Sequence, residues 1–338
     1  MAEKKKKAQV GLPDIIFYPI LLFFFALLTP FFYYSVKSHL WFVENSPEDF
    51  VYPKPMEIIT VTAAGSVFYF TLDKVMHALF YEKMRRDWCK PQATEELTAR
   101  YAEKAVASLV KAAHFTTSVV WGYALLRDCE WLPPILLGQN PNASLEKAYA
   151  MNFTSPPPGL VTYLQFTSGY HMQGFLDHLL LRERASDFRE MVLHHIATVA
   201  LYPGFQLANL MGVGAIVAWL HDISDVFVAI SRALNSVGWD KCTAVTYTAL
   251  MLSWVWTRVG VLPVIVYALV LGGEGTMPQN PYHAPWLRLE MTFLSALQVL
   301  HVYWFYMLAQ MGYRLLSKGQ VKDTVNDLAA ETGDKKQD

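Results

Sequence analysis

Two clusters of ionisable side chains interrupt apolar stretches of this 338-residue chain. The first is the doubled histidine His194–His195 within "EMVLHHIATVALYP", and the second is "HDISD" at residues 221–225. An Asp or Arg at the centre of a membrane helix costs at least about 2.5–3.5 kcal/mol, so such groups normally face a bundle interior or a wet cavity. Both clusters are therefore candidate functional sites.

Helical geometry limits what these groups can do together. Adjacent residues project about 100° apart, so His194 and His195 cannot share one role. His221 and Asp225 are four residues apart, and Asp222 and Asp225 three, so these side chains can line one helix face. A carboxylate beside an imidazole fixes its tautomer and stabilises its positive charge.

Three chemistries could use such a set. Metal oxidation by a di-iron centre needs HxxxH and HxxHH spacings, and the ten histidines give neither. Ion or proton translocation also uses buried His and Asp, but no repeat or broken-helix pair supports a transporter. In acyl transfer, a neutral imidazole attacks a thioester or acts as the base for an attacking amine. Further polar residues in apolar blocks are Arg258, Gln298 and His301, whereas His39 and His283 fall in predicted loops.

The elements that must position these residues are membrane helices. The chain is 53% hydrophobic and only 17% charged, against about 25% charged in soluble domains. Its net charge of −1 gives no argument for nucleic-acid binding, and its three cysteines form no framework. The fifth and sixth apolar blocks are predicted to form a tight hairpin with Pro203-Gly204 between them. The blocks long enough to cross a bilayer lie near 14–36, 56–81, 105–126, 159–181, 189–205, 208–234, 242–271 and 287–316.

Lysine and arginine in alternate connections predict that both termini are cytosolic. The sequons at Asn142 and Asn152 fall in the predicted lumenal loop 127–158 and are glycosylation candidates. Lys335 and Lys336 resemble a dilysine retrieval signal on a cytosolic tail. The first block is long and lacks a small-residue cleavage site, which favours a retained helix over a signal peptide.

The stretch Asp187–Leu234 resembles the Lag1 motif of ceramide synthases, within a TRAM-Lag1-CLN8 (TLC) domain. HHxxT is present at 194–198 and HDxSD at 221–225, and Asn209 falls in register. Thr257-Arg258 with Leu262-Pro263 matches the "TR…LP" segment of the family, and Leu297–Met311 matches its last helix.

The resemblance covers roughly residues 45–320, and the extra first crossing resembles fungal-type members. The implied parts are a basic N-terminus (1–13), an extra helix and lumenal loop (14–55), a second helix and basic linker (56–104), the TLC domain (105–318, motif 187–234) and a cytosolic tail (319–338).

The resemblance implies an all-α integral membrane protein of about eight helices, bundled around a lipid cavity in the endoplasmic reticulum membrane. It implies transfer of a fatty acyl group from acyl-CoA to a long-chain sphingoid base, with no metal and no cofactor beyond acyl-CoA as donor substrate. Homo- or heterodimers are expected by analogy. His194 is favoured as the residue that accepts the acyl group, and His195 is kept as the alternative acceptor. The implied catalytic residues are His194, His195, His221, Asp222 and Asp225. The expected substrate contacts are Asn209, Ser224, Arg258, Gln298, His301 and Trp304, with Arg85, Arg86, Arg182, Arg184 and Arg189 at the basic edge for the CoA phosphates.

The chain departs from the family pattern at three positions. Leu210 replaces a Tyr, Gly212 replaces an Arg, and Ala229 replaces a Glu. One reading is that the missing Arg and Glu formed a pair that was lost as a unit, which leaves the site intact. The alternative is a catalytically weak or inactive paralogue that senses lipid or regulates an active synthase.

Overall fold

Helices make up all the regular secondary structure that a computed structural model describes for residues 12–48, 50, 52–90, 92, 94–149, 156–180, 187–272 and 279–318. The helices are α1 (Asp14–Asn45), α2 (Pro55–Lys83) with a π-helical turn (Met84–Trp88), α3 (Glu95–Leu126), a 3₁₀ turn (Pro134–Leu136), α4 (Glu146–Tyr149), α5 (Leu160–Leu180), α6 (Phe188–Leu207), α7 (Met211–Val237), α8 (Asp240–Trp254), a second π-helical segment (Val255–Val261), α9 (Leu262–Gly272) and α10 (His283–Lys318).

Each apolar block predicted from the sequence coincides with one of these long helical segments. Five segments are long and apolar enough to cross a membrane: α1, α2, α7, the α8–α9 segment and α10. The other three, α3, α5 and α6, carry buried polar residues such as Ser118, Gln165 and His195, which lower their hydropathy. The prediction of an all-α multi-pass membrane protein is confirmed, and the number of eight crossings stays a prediction.

The boundaries correct three details of the sequence analysis. α1 continues to Asn45, so His39 lies buried in a helix and not in a loop. His283 is likewise buried, as the first residue of α10. Pro203 and Gly204 lie inside α6, which runs on to Leu207. The predicted hairpin is present, but its turn is formed by residues 208–210, where Asn209 adopts φ 58°.

Seven of the long helical segments form a closed ring in which each packs against the next. The order around the ring is α2, α3, α7, the α8–α9 segment, α10, α6 and α5, which returns to α2. α2 and α5 approach closely at Gly65, because a Cβ on Gly169 would lie 2.8 Å from the Gly65 Cα. Small residues at such a crossing let two membrane helices touch through their backbones. α1 packs outside the ring, against α6 and α10.

The α6–α7 hairpin sets the two motifs side by side. His194 lies 13 residues before the end of α6, and His221 lies ten residues after the start of α7. At 1.5 Å per residue the two histidines are therefore about 20 Å and 15 Å from the turn. We call the end of the bundle that holds this turn the turn end. The other end, where α1 and α6 begin, we call the basic end.

Candidate active site

Three imidazoles from three helices meet inside the ring. His301 of α10 lies between His221 of α7 and His194 of α6, with ring centroids 4.8 Å and 6.4 Å away. His301 is fully buried. Trp304, one turn further along α10, lies 5.5 Å from the His194 ring. The structure therefore brings together residues that are more than 100 positions apart in the sequence.

The two adjacent histidines of α6 point to different neighbours. His194 faces His301 and Trp304 on α10. His195 is directed towards α5, where its ring centroid lies 6.0 Å from Phe175 and 5.6 Å from His178. This divergence is the one expected from a 100° rotation between adjacent helical residues. Only His194 belongs to the three-imidazole cluster.

In two of these imidazoles, hydrogen bonds indicate which ring nitrogen carries the proton and which carries the lone pair. Nδ1 of His221 lies 2.6 Å from the Val217 carbonyl oxygen, so it must donate, and the lone pair lies on Nε2. The Thr198 hydroxyl donates to the His194 carbonyl oxygen at 2.9 Å, so its own oxygen is left to accept from His194 Nε2 at 3.5 Å. That tautomer puts the His194 lone pair on Nδ1. Nδ1 of His194 and Nε2 of His221 are both buried, and neither has a hydrogen-bond partner among the residues that the structure describes. Each ring therefore holds a nitrogen able to accept a proton or attack a carbonyl.

Arg258 holds the helix that carries the second motif. Its Nη2 lies 2.6 Å from Asp225 and donates to the His221 carbonyl oxygen at 3.0 Å, and its Nε donates to Ser224 at 2.8 Å. Its guanidinium also lies 4.2 Å from the Trp254 ring centroid. The side chain belongs to the π-helical segment Val255–Val261, an irregularity that often marks functional sites. Arg258 and Ser224, both predicted substrate contacts, are thus engaged with each other and with α7.

Asp222 points away from the imidazole cluster. It is fully buried, and one carboxylate oxygen accepts a hydrogen bond from Ser118 of α3, whose hydroxyl is also bonded to that of Tyr163. In the part of the chain that the structure describes, neither Asp222 nor Asp225 is hydrogen-bonded to a histidine. The 100° step between adjacent residues turns Asp222 towards α3, and Asp225 is paired with Arg258. The prediction that the two carboxylates orient and charge-balance the site stays a prediction.

The remaining predicted residues lie in different parts of the structure. Gln298 lies three residues before His301, and its Oε1 is buried with no hydrogen-bond partner among the described residues. Asn209 sits in the turn between α6 and α7, about 22 Å from His194 along the helix, so the structure does not bring it to the cluster. Arg85 is paired with Glu82 and Glu95, Arg86 with Asp87, and Arg189 with Asp14.

The predicted glycosylation site Asn142 is exposed. Arg182, Arg184, Asn152, Lys335 and Lys336 lie outside the described residues.

The structure also bears on the departures from the family pattern. Gly212 is in the first turn of α7, whereas Ala229 is buried further along it, against Tyr69 and Tyr170. Seventeen residues separate the two positions on one helix, which is about 25 Å. Side chains at that distance cannot form an ion pair, so the interpretation of a pair lost as a unit is wrong.

Three residues of this region were not singled out from the sequence: Ser118, Tyr163 and Trp254. Thr198 was part of the HHxxT motif, and its spacing of four from His194 places its hydroxyl on the same helix face. Ser118 and Tyr163 could not be found from the sequence, because their role depends on α3 and α5 packing against α7. Ordinary hydroxyl and aromatic residues inside apolar helices give no distinguishing signal.

Comparisons with known proteins show which family and which relatives this chain resembles. Residues 104–310 match the TLC domain (TRAM_LAG1_CLN8) family. Ceramide synthase hyl-2 of Caenorhabditis elegans is 25% identical over 180 residues, which are 51% of this chain and 54% of that protein. Ceramide synthase 4 of Homo sapiens is 26% identical over 250 residues, 73% of this chain and 57% of that protein. Ceramide synthase LOH2 of Arabidopsis thaliana is 26% identical over 183 residues, 51% of this chain and 59% of that protein. The chain spans little more than half the length of these curated relatives.

Proposed function

Since this chain belongs to the TLC domain family, we propose that it is a ceramide synthase, which transfers a fatty acyl group from acyl-CoA to the amine of a long-chain sphingoid base. The observation that carries the proposal is His194, whose unpartnered nitrogen belongs to a buried cluster with His221 and His301. The names of the curated relatives supply the substrate class. A membrane position suits two substrates that each have a long hydrocarbon chain.

The proposed reaction has two steps. Nδ1 of His194 attacks the thioester carbonyl, the carbon–sulfur bond breaks, and the Nε2 proton of His194 passes to the departing thiolate to give free CoA. The sphingoid amine then attacks the acyl-imidazole, and the bond between carbon and histidine nitrogen breaks as the amide forms. Nε2 of His221 takes the proton of the attacking amine and returns it to His194. Thioester and amine are consumed, and amide and thiol are produced.

We further propose that the basic end of the bundle faces the cytosol in the endoplasmic reticulum membrane, with both termini on that side. This orientation places His194, which is seven residues into α6, about 10 Å below the basic end. A CoA thioester could reach that depth while its acyl chain stays in the membrane. Residues 105–318 would form the catalytic domain, preceded by two further helices. A homo- or heterodimer remains part of the proposal by analogy with the family.

Mass spectrometry of the intact protein tests the function directly. The purified chain, mixed with a fatty acyl-CoA, should gain the mass of one acyl chain and lose it when sphinganine is added, with dihydroceramide as product. His194→Ala should abolish both the adduct and the product. His77→Ala is the matched control, because that ring is exposed on α2, stacked on Tyr81 and away from the cluster. An adduct that persists in His194→Ala would refute the role of this residue.

A second candidate is a TLC paralogue without catalytic activity, which binds lipid or regulates an active synthase. It is favoured by Gly212 and Ala229, and by the full burial of His301, which a substrate could reach only if side chains moved. The same experiment separates the two functions. A protein that retains bound lipid but forms neither adduct nor product, and that copurifies with an active synthase, would support the second.

A further inference from the structure

The beginning of α1 is fastened to the beginning of α6 by four residues. The Leu12 backbone N–H donates to Oε1 of Glu190 at 2.7 Å, and Nη1 of Arg189 donates to the Leu12 carbonyl oxygen at 2.5 Å. Arg189 also forms an ion pair with Asp14. Glu190 is only 1% exposed, so its hydrogen bond with Leu12 is shielded from water. We call Leu12, Asp14, Arg189 and Glu190 the N-terminal clamp.

α1 continues from this clamp between α6 and α10. Phe31 packs so closely on α6 that a Cβ on Gly204 would lie 2.4 Å from its ring, and it also packs on Phe293 of α10 at 5.2 Å between centroids. Near its other end, Ser35 accepts a hydrogen bond from the Trp286 indole at 2.9 Å. α1 is therefore attached to α6 and to α10 along most of its length.

The two helices that α1 joins carry two members of the imidazole cluster. His194 is one turn after Glu190 on the same side of α6, and His301 is on α10. A change in how α1 sits would alter the position of α6 relative to α10, and with it the separation of these rings. Displacements of about 1 Å at a reacting centre can cost on the order of a hundredfold in rate.

We propose that Arg189 and Glu190 are positioning residues, and that through the N-terminal clamp α1 acts as a brace that sets His194 against His301. The inference rests on the proposed function for its effect on catalysis, whereas the clamp itself does not. α1 lies outside the region that matches the TLC domain family, residues 104–310. The brace would thus be a part of the catalytic apparatus that lies beyond the family domain.

This role for Arg189 differs from the one predicted from the sequence. A phosphate contact needs a guanidinium whose N–H groups are directed at the ligand. Here Nη1 and Nη2 already bind the Leu12 carbonyl oxygen and the Asp14 carboxylate. The two roles give different kinetic predictions, because loss of a phosphate contact raises the KM for acyl-CoA and loss of a positioning contact lowers kcat.

The first test removes one hydrogen bond of the N-terminal clamp, that from the Leu12 N–H to Glu190, without substituting a residue of α6. Leu12→Pro eliminates the N–H that Glu190 binds, and Leu12→Ala, the matched control, keeps it. We expect Leu12→Pro to lower kcat about tenfold relative to Leu12→Ala, since a hydrogen bond to a charged group is lost. The KM for acyl-CoA should stay within about twofold. Equal kcat values in the two variants would overturn the proposal.

The second test exchanges the charges of the ion pair. Asp14→Arg and Arg189→Asp should each lower kcat by about threefold, a small effect because Asp14 is largely exposed. The double variant restores the ion pair but not the donor to the Leu12 carbonyl oxygen, so it should recover part of the loss seen in Arg189→Asp. If Arg189 instead binds the CoA phosphates, Asp14→Arg will have no effect, Arg189→Asp will raise KM, and the double variant will not recover.

A third measurement is independent of activity. Hydrogen exchange of the peptide that covers residues 188–195 should be faster in Leu12→Pro than in Leu12→Ala, because the start of α6 loses its attachment. If the wild-type protein has no transferase activity but this difference is present, the clamp stands and the proposed function fails. If transferase activity is present and the exchange rates are equal, the clamp is wrong and the function stands.

Discussion

Arg258 is the residue whose removal should be felt most clearly in stability. Arg258→Gln takes the cation away from Asp225 and removes a donor from both Ser224 and the His221 carbonyl oxygen. Removing one partner of a buried ion pair costs about 3–5 kcal/mol. Asp225 is 24% exposed and water can partly solvate its charge, so we expect the lower end, about 3 kcal/mol.

The partner variant should cost less. Asp225→Asn keeps an oxygen acceptor for Arg258, which also retains Ser224, the His221 carbonyl oxygen and the Trp254 ring. We expect a loss of about 1–2 kcal/mol. In the double variant no charge is left unpaired, so the combined cost should fall short of the sum by about 1–2 kcal/mol, which is the coupling energy of a contacting pair.

The assay is denaturant-induced unfolding of the purified protein in detergent, with dihydroceramide formation measured in parallel. Arg232→Gln is the matched control, because Arg232 is an exposed arginine of α7 and should change stability by less than about 0.5 kcal/mol. Arg258→Gln should lower kcat more than it raises KM, since it loosens the backbone at His221. Effects of Arg258→Gln and Asp225→Asn that add to within about 0.5 kcal/mol would refute the coupling. A raised KM with an unchanged kcat would instead indicate that Arg258 contacts the substrate, as predicted from the sequence.

Three further variants probe the packing and the topology. Ser118→Ala leaves Asp222 without its hydrogen-bond donor and should lower the free energy of unfolding by about 1–3 kcal/mol; an unchanged denaturation midpoint would contradict this. Gly204→Ala brings a Cβ against Phe31 and should cost about 1–3 kcal/mol. Phe31→Leu in the same chain should recover part of that loss, and the absence of recovery would mean that the strain lies elsewhere. Asn142→Gln should remove a glycosidase-sensitive shift on a gel after expression in a glycosylating host, and a shift that persists would assign the glycan to another site.

The fold class could be predicted from the sequence because long apolar runs indicate membrane helices. The helices α3, α5 and α6 were also predicted, although their buried polar residues make them less apolar than a typical crossing. Boundaries were less accurate where tertiary contacts extend a helix. α1 runs on to Asn45 with Ser35 and Ser38 bonded to Trp286 and Asn280, and no local pattern in α1 indicates those partners.

The residues of the candidate site were predictable, but their partners were not. Periodicity indicated that His194 and His195 diverge, yet only the position of α10 determines that His194 is the one beside His301. Asp222 binds Ser118, 104 residues earlier, and Arg258 binds Ser224, 34 residues earlier. Hydrogen bonds across such separations depend on how whole helices pack, which a pattern within one helix cannot specify.

The contacts of α1 also have a fixed order in which they can form during synthesis of the chain. α1 is the first of the described helices to emerge, but the donors to its Ser38 and Ser35 oxygens, Asn280 and Trp286, follow 242 and 251 residues later. At about 5–20 residues per second, synthesis of that interval takes on the order of 10–50 seconds. During this time the Ser35 hydroxyl can donate to the Phe31 carbonyl oxygen of its own helix, while the oxygens of Ser35 and Ser38 have not yet met these two donors. The contacts of the first helix with α6 can therefore form before its contacts with α10, which complete its attachment only late in synthesis.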